Sequence, residues 1–208
     1  MMAIGSRKVL AMRLQGVAHF TRPQLELEQY VTPPDVAASL LWEAYLAGHI
    51  EKRTVADLGA GTGMLTIGAL LLGAERVVAV EVDKDAADDL ERNLDSLGLD
   101  RERVELVRGD ARTVAVKADT VVQNPPFGVW RRHADAEFVQ AAKQTGGVVY
   151  TLHKDATDAV TWMEAQAAPD HRVETLSRVV MTIPPVHAFH RKRLYMVAVL
   201  LFRLTIRG

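Results

Sequence analysis

A chain of 208 residues with 49% hydrophobic content can bury one full core, and no linker-like stretch or internal repeat divides it. Its formal net charge of −1 excludes a globally basic protein that wraps nucleic acid. The lack of cysteine excludes disulfides and thiolate metal sites, and no run of membrane-spanning length or secretory signal pattern is present, so a cytoplasmic location is expected.

Residues 1–24 are basic and poorly patterned, with Arg7, Lys8, Arg13 and Arg22 all preceding the first acid, Glu26. This segment is expected to be separate and able to flex, ahead of a single domain over 25–208. Thr32 is expected to cap a helix with Pro33 at its first position and Asp35 in its first turn, running to about Ala47, where Gly48 can end it. Strands then fall near 54–58, 76–81, 104–107, 118–123 and 147–152, and helices near 63–72, 84–97, 134–143 and 154–167. Such alternation implies a parallel sheet with helices on both faces. The last two strands, about 172–183 and 194–206, are joined by a connection too short for a helix and must be antiparallel. An α/β fold of the Rossmann-like, seven-stranded class I methyltransferase type, mostly parallel with a final antiparallel hairpin, follows.

The strand ends carry the chemistry. The first runs through Asp57 into Gly59-Ala60-Gly61-Thr62-Gly63, whose glycines permit close backbone approach to a ligand beside a helix N-terminus. A nicotinamide site would show G-x-G-x-x-G, whereas G-x-G-x-G behind an acid points to S-adenosylmethionine. The second ends in Glu81, placed to accept both ribose hydroxyls, with Val82 adjoining. The third is closed by Gly109-Asp110-Ala111, from which Asp110 can reach the adenine amino group of that cofactor, with Ala111 beside it.

The fourth strand ends in Asn124-Pro125-Pro126-Phe127. An exocyclic amine on adenine is a poor nucleophile because its lone pair is delocalised into the ring. The Asn124 amide oxygen can accept from one N–H, the Asn-Pro bond can pin the backbone so that a carbonyl accepts from the other, and Phe127 can stack on a flipped base. Without cysteine, the nucleophile that pyrimidine C5 methylation needs is missing, so the target is expected to be a nitrogen.

Two basic clusters, Arg131-Arg132-His133 after this turn and His190-Arg191-Lys192-Arg193 before the last strand, are expected at the carboxyl edge, where they could hold RNA phosphates. His187 and His190 lack a carboxylate or thiolate neighbour, and no metal site is expected.

Leu27-Glu28-Gln29-Tyr30-Val31-Thr32, the turn from Val55 to Gly63, Asn124 to Gly128, and Tyr150-Thr151-Leu152-His153-Lys154 together resemble the methyltransferase-like protein five family. Its members are adenine-N6 methyltransferases of small-subunit ribosomal RNA, with archaeal relatives known more broadly as RNA methylases. The resemblance implies that Gln29, Tyr30 and Thr32 lie over the cofactor with Asn124, that His153 and Lys154 face RNA, and that a small zinc-binding activator protein pairs with the edge strand at 103–108. Glutamine N5 methylation in a protein, guanine N2 methylation of ribosomal RNA and a non-catalytic scaffold are the other readings. The first usually pairs Asn-Pro-Pro with tyrosine and carries an extra helical domain. The last would not need every acid and the intact Asn124 to Phe127.

Overall fold

The computed structural model describes residues 4–128, 134–183 and 195–207. Seven strands form one sheet: β1 (Thr54–Leu58), β2 (Arg76–Glu81), β3 (Val104–Arg108), β4 (Ala118–Gln123), β5 (Gly146–Lys154), β6 (His171–Ile183) and β7 (Tyr195–Ile206). Their order is β3-β2-β1-β4-β5-β7-β6, with β7 antiparallel to both neighbours and the other strands running one way. The chain therefore has the α/β, Rossmann-like methyltransferase fold expected from its alternating pattern. Register aligns Leu58 with Val80 and Gln123, so the segments after β1, β2 and β4 emerge at one edge of the sheet. That alignment gathers residues distant in sequence.

Helices cover both faces because the central strands are apolar on both sides. On one face, α1 (Arg7–Leu14), α2 (Pro34–Leu46), α3 (Met64–Leu71) and α4 (Lys84–Ser96) pack on Val55, Val77, Ala79 and Val122. On the other, α5 (Ala134–Thr145) and α6 (Ala159–Ala167) pack on Ala56, Val78, Val121 and Phe202. Every residue of α3 is buried, and Gly68 has a structural reason: a Cβ there would lie 2.2 Å from Leu41 Cδ1 of α2. A larger residue there would have to displace the end of the buried Leu41 side chain.

Three departures from the sequence reading concern the N-terminal third and β5. Part of the segment read as poorly patterned is the helix α1, whose Leu10 and Leu14, one turn apart, are fully buried. Ser6 caps it by accepting from the Val9 N–H. The helix α2 begins at Pro34 rather than Pro33, and Thr32 does not cap it; the Thr32 hydroxyl is engaged elsewhere. The strand β5 runs on to Lys154, so His153 lies inside a strand rather than after one.

Between α1 and α2 the chain climbs α4 toward its N-terminus. Asn93 Oδ1 accepts from the Ala18 N–H at 2.9 Å, Asp89 accepts from the Thr21 N–H at 2.9 Å, Asp85 pairs with Arg22 at 3.6 Å, and Asp83 accepts from Gln29 Nε2 at 2.8 Å. Positions 93, 89 and 85 are four residues apart and so share one face of α4. The strap of residues 18–32 is thereby drawn to the carboxyl edge of the sheet.

Candidate active site

The β1–α3 turn is shaped by glycines in the left-handed region, with φ of 78° at Gly59, 55° at Gly61 and 90° at Gly63. A Cβ on Gly59 would meet Phe138 at 3.3 Å, and one on Gly61 would meet Phe20 at 3.0 Å. The turn therefore runs as bare backbone along a cavity walled by Phe20 of the strap and Phe138 of α5. Gly63 serves differently: it caps α3 and packs against Leu90 without reaching the cavity wall.

Residues from four strand ends and the strap meet in this cavity. Gln29, Tyr30, Thr32, Asp57, Gly59, Gly61, Glu81, Val82, Asp110, Ala111, Asn124, Pro125 and Pro126 all line it. Asp57 is 1% exposed; its Oδ2 accepts from the Thr66 hydroxyl at 2.7 Å, while Oδ1 has no hydrogen-bond partner among the described residues. Burial raises its pKa to about 7, an effect offset in part by Thr66 and reinforced by the charge of Glu81. Glu81 is also pushed up by burial, while the Asp83 and Gly61 N–H groups, donating at 2.9 and 2.7 Å, pull it back.

Two of the expected contacts are differently arranged. The Asp110 carboxylate accepts from the Arg112 N–H at 3.0 Å and from its guanidinium, and that guanidinium also reaches Glu137 at 2.9 Å. Phe127 is absent from the cavity wall; its ring leans on Tyr30 with centroids 5.8 Å apart and planes at 40°, and its N–H donates to Glu28 at 2.7 Å. Asn124 donates through Nδ2 to the Thr32 hydroxyl at 2.9 Å, leaving Oδ1 buried and without a partner among the described residues. The Tyr30 hydroxyl is equally buried and makes no hydrogen bond of normal geometry among the described residues, although the Asn124 amide is close enough to act on it. Burial, and then the charge of Glu28, raises its pKa, while the Asn124 amide works against the rise.

His153 does not serve as an RNA contact. It is 4% exposed, packs between Trp162 and Phe202 at centroid distances of 5.3 and 6.2 Å, and bonds the Thr151 hydroxyl at 2.8 Å rather than the backbone. Burial lowers its pKa to about 3, so it stays neutral. Side chains alternate along β5, which turns Thr151 and His153 toward α6 and leaves Lys154 exposed at the strand's end. The clusters Arg131-Arg132-His133 and His190-Arg191-Lys192-Arg193 lie outside the described residues. No group of metal-ligating side chains, and no helix long and apolar enough to cross a membrane, occurs among the described residues.

Sequence reasoning missed Phe20, Glu28, Arg112 and Phe138, which also line the cavity. Glu28 carried one usable signal, its place in the Glu-Gln-Tyr run. Phe20 carried none, because only the bonds to α4 bring it over the glycine turn.

The arrangement fits a cofactor that is an adenosine with a charged sulfonium tail: a bare-backbone turn, a buried carboxylate at Glu81 and an acceptor left open at Asp57. Comparison with known proteins agrees. Residues 32–165 match the methyltransferase small domain family. The chain is 34% identical to the rRNA N(6)-adenosine-methyltransferase METTL5 of Danio rerio, covering 89% of this chain and 92% of that protein. It is 39% identical to Mettl5 of Drosophila melanogaster over 69% of this chain and 70% of that one. Among solved structures, PH1948 of Pyrococcus horikoshii, a candidate RNA methyltransferase, superposes with a TM-score of 0.89 at 38% identity, covering 99% and 98% of the two chains.

Proposed function

Because this chain belongs to the METTL5 family of S-adenosylmethionine-dependent methyltransferases, we propose that it methylates the exocyclic N6 of an adenosine in ribosomal RNA, in the small subunit, with the base turned out of its stack. One observation carries the reading: Asn124 Oδ1 is a buried acceptor with no partner among the described residues, on the wall of the cavity that takes the cofactor. An unsatisfied buried acceptor costs about 1–3 kcal/mol, and a substrate N–H would remove that cost.

S-adenosylmethionine, when bound, supplies a methyl group made electrophilic by a sulfonium sulfur. Glu81 would hold the ribose hydroxyls, Asp57 and Asp110 would face the remaining polar groups, and Gln29 and Tyr30 would close the site from the strap. Asn124 and the Pro125 carbonyl would accept the two N–H bonds of the substrate amine, turning its lone pair out of conjugation. An amine that gains a methyl group becomes acidic and sheds its proton without a strong base, so the neutral, buried His153 is not needed. Phe127 is the stacking partner for the base; Glu28 holds its N–H and Tyr30 its ring, which keeps that ring out of the cofactor cavity. Arg131, Arg132 and the run from His190 to Arg193 would hold phosphates, giving affinity without base identity. A small zinc-binding activator pairing along β3 belongs to the same proposal.

The test is transfer of labelled methyl from S-adenosylmethionine to ribosomal subunits, followed by nucleoside analysis. N6-methyladenosine is expected, and Asn124→Ala should abolish its formation while leaving cofactor affinity by calorimetry within about threefold, because this amide acts on the substrate. Wild-type turnover in that variant would overturn the reading.

A further inference from the structure

The Gln29 amide is engaged by two partners whose polarity is fixed. Its Oε1 accepts from the Gln24 N–H at 2.7 Å, and a backbone N–H can only donate; its Nε2 donates to Asp83 Oδ2 at 2.8 Å, and a carboxylate oxygen accepts. Half a turn of this amide would lose both bonds. The first bond closes a knuckle: a 3-10 turn at Leu25–Leu27 ends in Glu28 with φ of 52°, and the Gln29 N–H returns to Gln24 O at 3.3 Å. The second reaches the cofactor side, where the Asp83 N–H donates to Glu81 Oε1 at 2.9 Å. Next to Gln29 in sequence stand Glu28, which accepts from the Phe127 N–H at 2.7 Å, and Tyr30, whose ring meets that of Phe127 at 5.8 Å. One amide thus stands between the acid proposed for the ribose and both supports of the residue proposed for the base.

We propose that Gln29 is a positioning residue that couples the two halves of the site, so that S-adenosylmethionine and RNA each tighten the binding of the other. The proposal deepens the functional reading above and rests on its assignment of Phe127 as the stacking partner of the base. Residues 22–27 of the strap are all exposed and bury little that would hold the knuckle in place by itself. Residues 26–32 line the cavity, so a cofactor there lies against their inner side and favours the strap as placed; the same placement holds Phe127. Two ligands that favour one arrangement bind with positive coupling, and the factor is the same whichever binds first. Without the bond from Gln29 to Asp83, the loop of the cofactor acid and the knuckle would move separately.

The bond can be broken and remade with its shape kept. Gln29→Glu sets two carboxylates against each other. Asp83→Asn keeps the cap of α4, its amide oxygen accepting from the Asp85 N–H as Asp83 Oδ1 does at 3.1 Å, but turns a donor toward Gln29 Nε2. The double variant restores donor and acceptor in exchanged positions, with the wild-type net charge. RNA affinity is measured on a labelled oligoribonucleotide carrying the adenosine that the methylation assay identifies, without cofactor and at saturating S-adenosylhomocysteine, which permits no turnover. Calorimetry gives the cofactor affinity with and without that RNA. In the wild type the cofactor should tighten RNA binding about fivefold or more, with an equal factor in the reverse direction. Each single variant should reduce the factor to less than about twofold, and the double variant should bring it back to within about twofold of the wild type.

An RNA affinity indifferent to cofactor in the wild type would overturn the proposal and leave methylation, and the functional reading, in place. So would equal RNA losses with and without cofactor in the single variants, the mark of a role in the fold alone, or a coupling that the double variant fails to restore. Cofactor affinity lost in Gln29→Glu and not repaired in the double variant would make Gln29 a cofactor contact, which also overturns it. If no adenosine is methylated, the underlying reading falls and this proposal with it.

Discussion

Asp57 illustrates what the site demands of single residues. Its carboxyl is buried under the glycine turn, and its pKa of about 7 in the folded chain compares with an ordinary value of 3.8. A raised folded pKa means that the native state holds the proton more tightly than the unfolded chain does. Its stabilising contribution is therefore fully present below pH 3.8 and is lost as pH rises through about 7. Asp57→Asn keeps the shape and cannot ionise. Thermal unfolding of the ligand-free chains from pH 4 to 8 should show the wild type losing stability relative to Asp57→Asn across that window and running parallel to it above. A constant difference between the two would mean that Asp57 does not titrate there. At this scale the sequence was most informative for residues fixed by a strand end, such as Asp57, Glu81 and Asn124, because the end of a parallel strand locates its own next residue. It was uninformative about which residue would hold the other end of the Asn124 amide, because that partner, Thr32, lies 92 positions away.

The strap depends on α4 in a way that can be measured. Asn93 is 2% exposed, and its amide makes three bonds: Oδ1 accepts from Ala18 N–H at 2.9 Å, and Nδ2 donates to Ala18 O at 3.1 Å and to Thr62 O at 2.9 Å. One side chain therefore ties the strap to the glycine turn. Asn93→Ala would leave the buried Thr62 carbonyl without this donor, with a loss of about 1–3 kcal/mol in unfolding free energy by urea titration. Because the same bonds hold Phe20 against Gly61, cofactor affinity should fall as well; a stability loss with unchanged affinity would separate the strap from the cofactor site. The β1–α3 and β2–α4 units were legible because their apolar periods are long and uninterrupted. The helix α1 was not, since only Leu10 and Leu14 of its eight residues are buried and three of the rest are cationic. Its identity comes from the surface it covers on α2 and α3, which no local pattern records.

At the scale of the whole molecule, the sheet presents two edges of unequal kind. The strand β6 is 13 residues long and carries exposed Arg172, Glu174 and Arg178, charges that discourage pairing. The strand β3 is five residues long, and its lone acid, Glu105, is turned back onto Arg76 of β2 in an ion pair, leaving half-buried Val104, Leu106 and Val107 along the edge. The direction of its outer groups follows from one bond. Gly109 donates its N–H inward to Glu81 O at 3.0 Å, and in a parallel strand alternate residues face the same neighbour. Val107 and Glu105 therefore also point their N–H groups at β2, while Leu106 and Arg108 point theirs outward, where an added strand would meet them. Leu106→Pro removes one outward donor and spares the inner ladder, the setting in which an edge strand tolerates proline. The proposed zinc-binding activator, co-expressed from the same genome, should co-purify with the wild-type chain and raise its methylation of ribosomal RNA. It should fail to co-purify with Leu106→Pro, although that variant by itself keeps a cooperative unfolding transition and binds S-adenosylmethionine. Co-purification undiminished by the proline would exclude strand addition at β3 and move the partner to another face of the molecule.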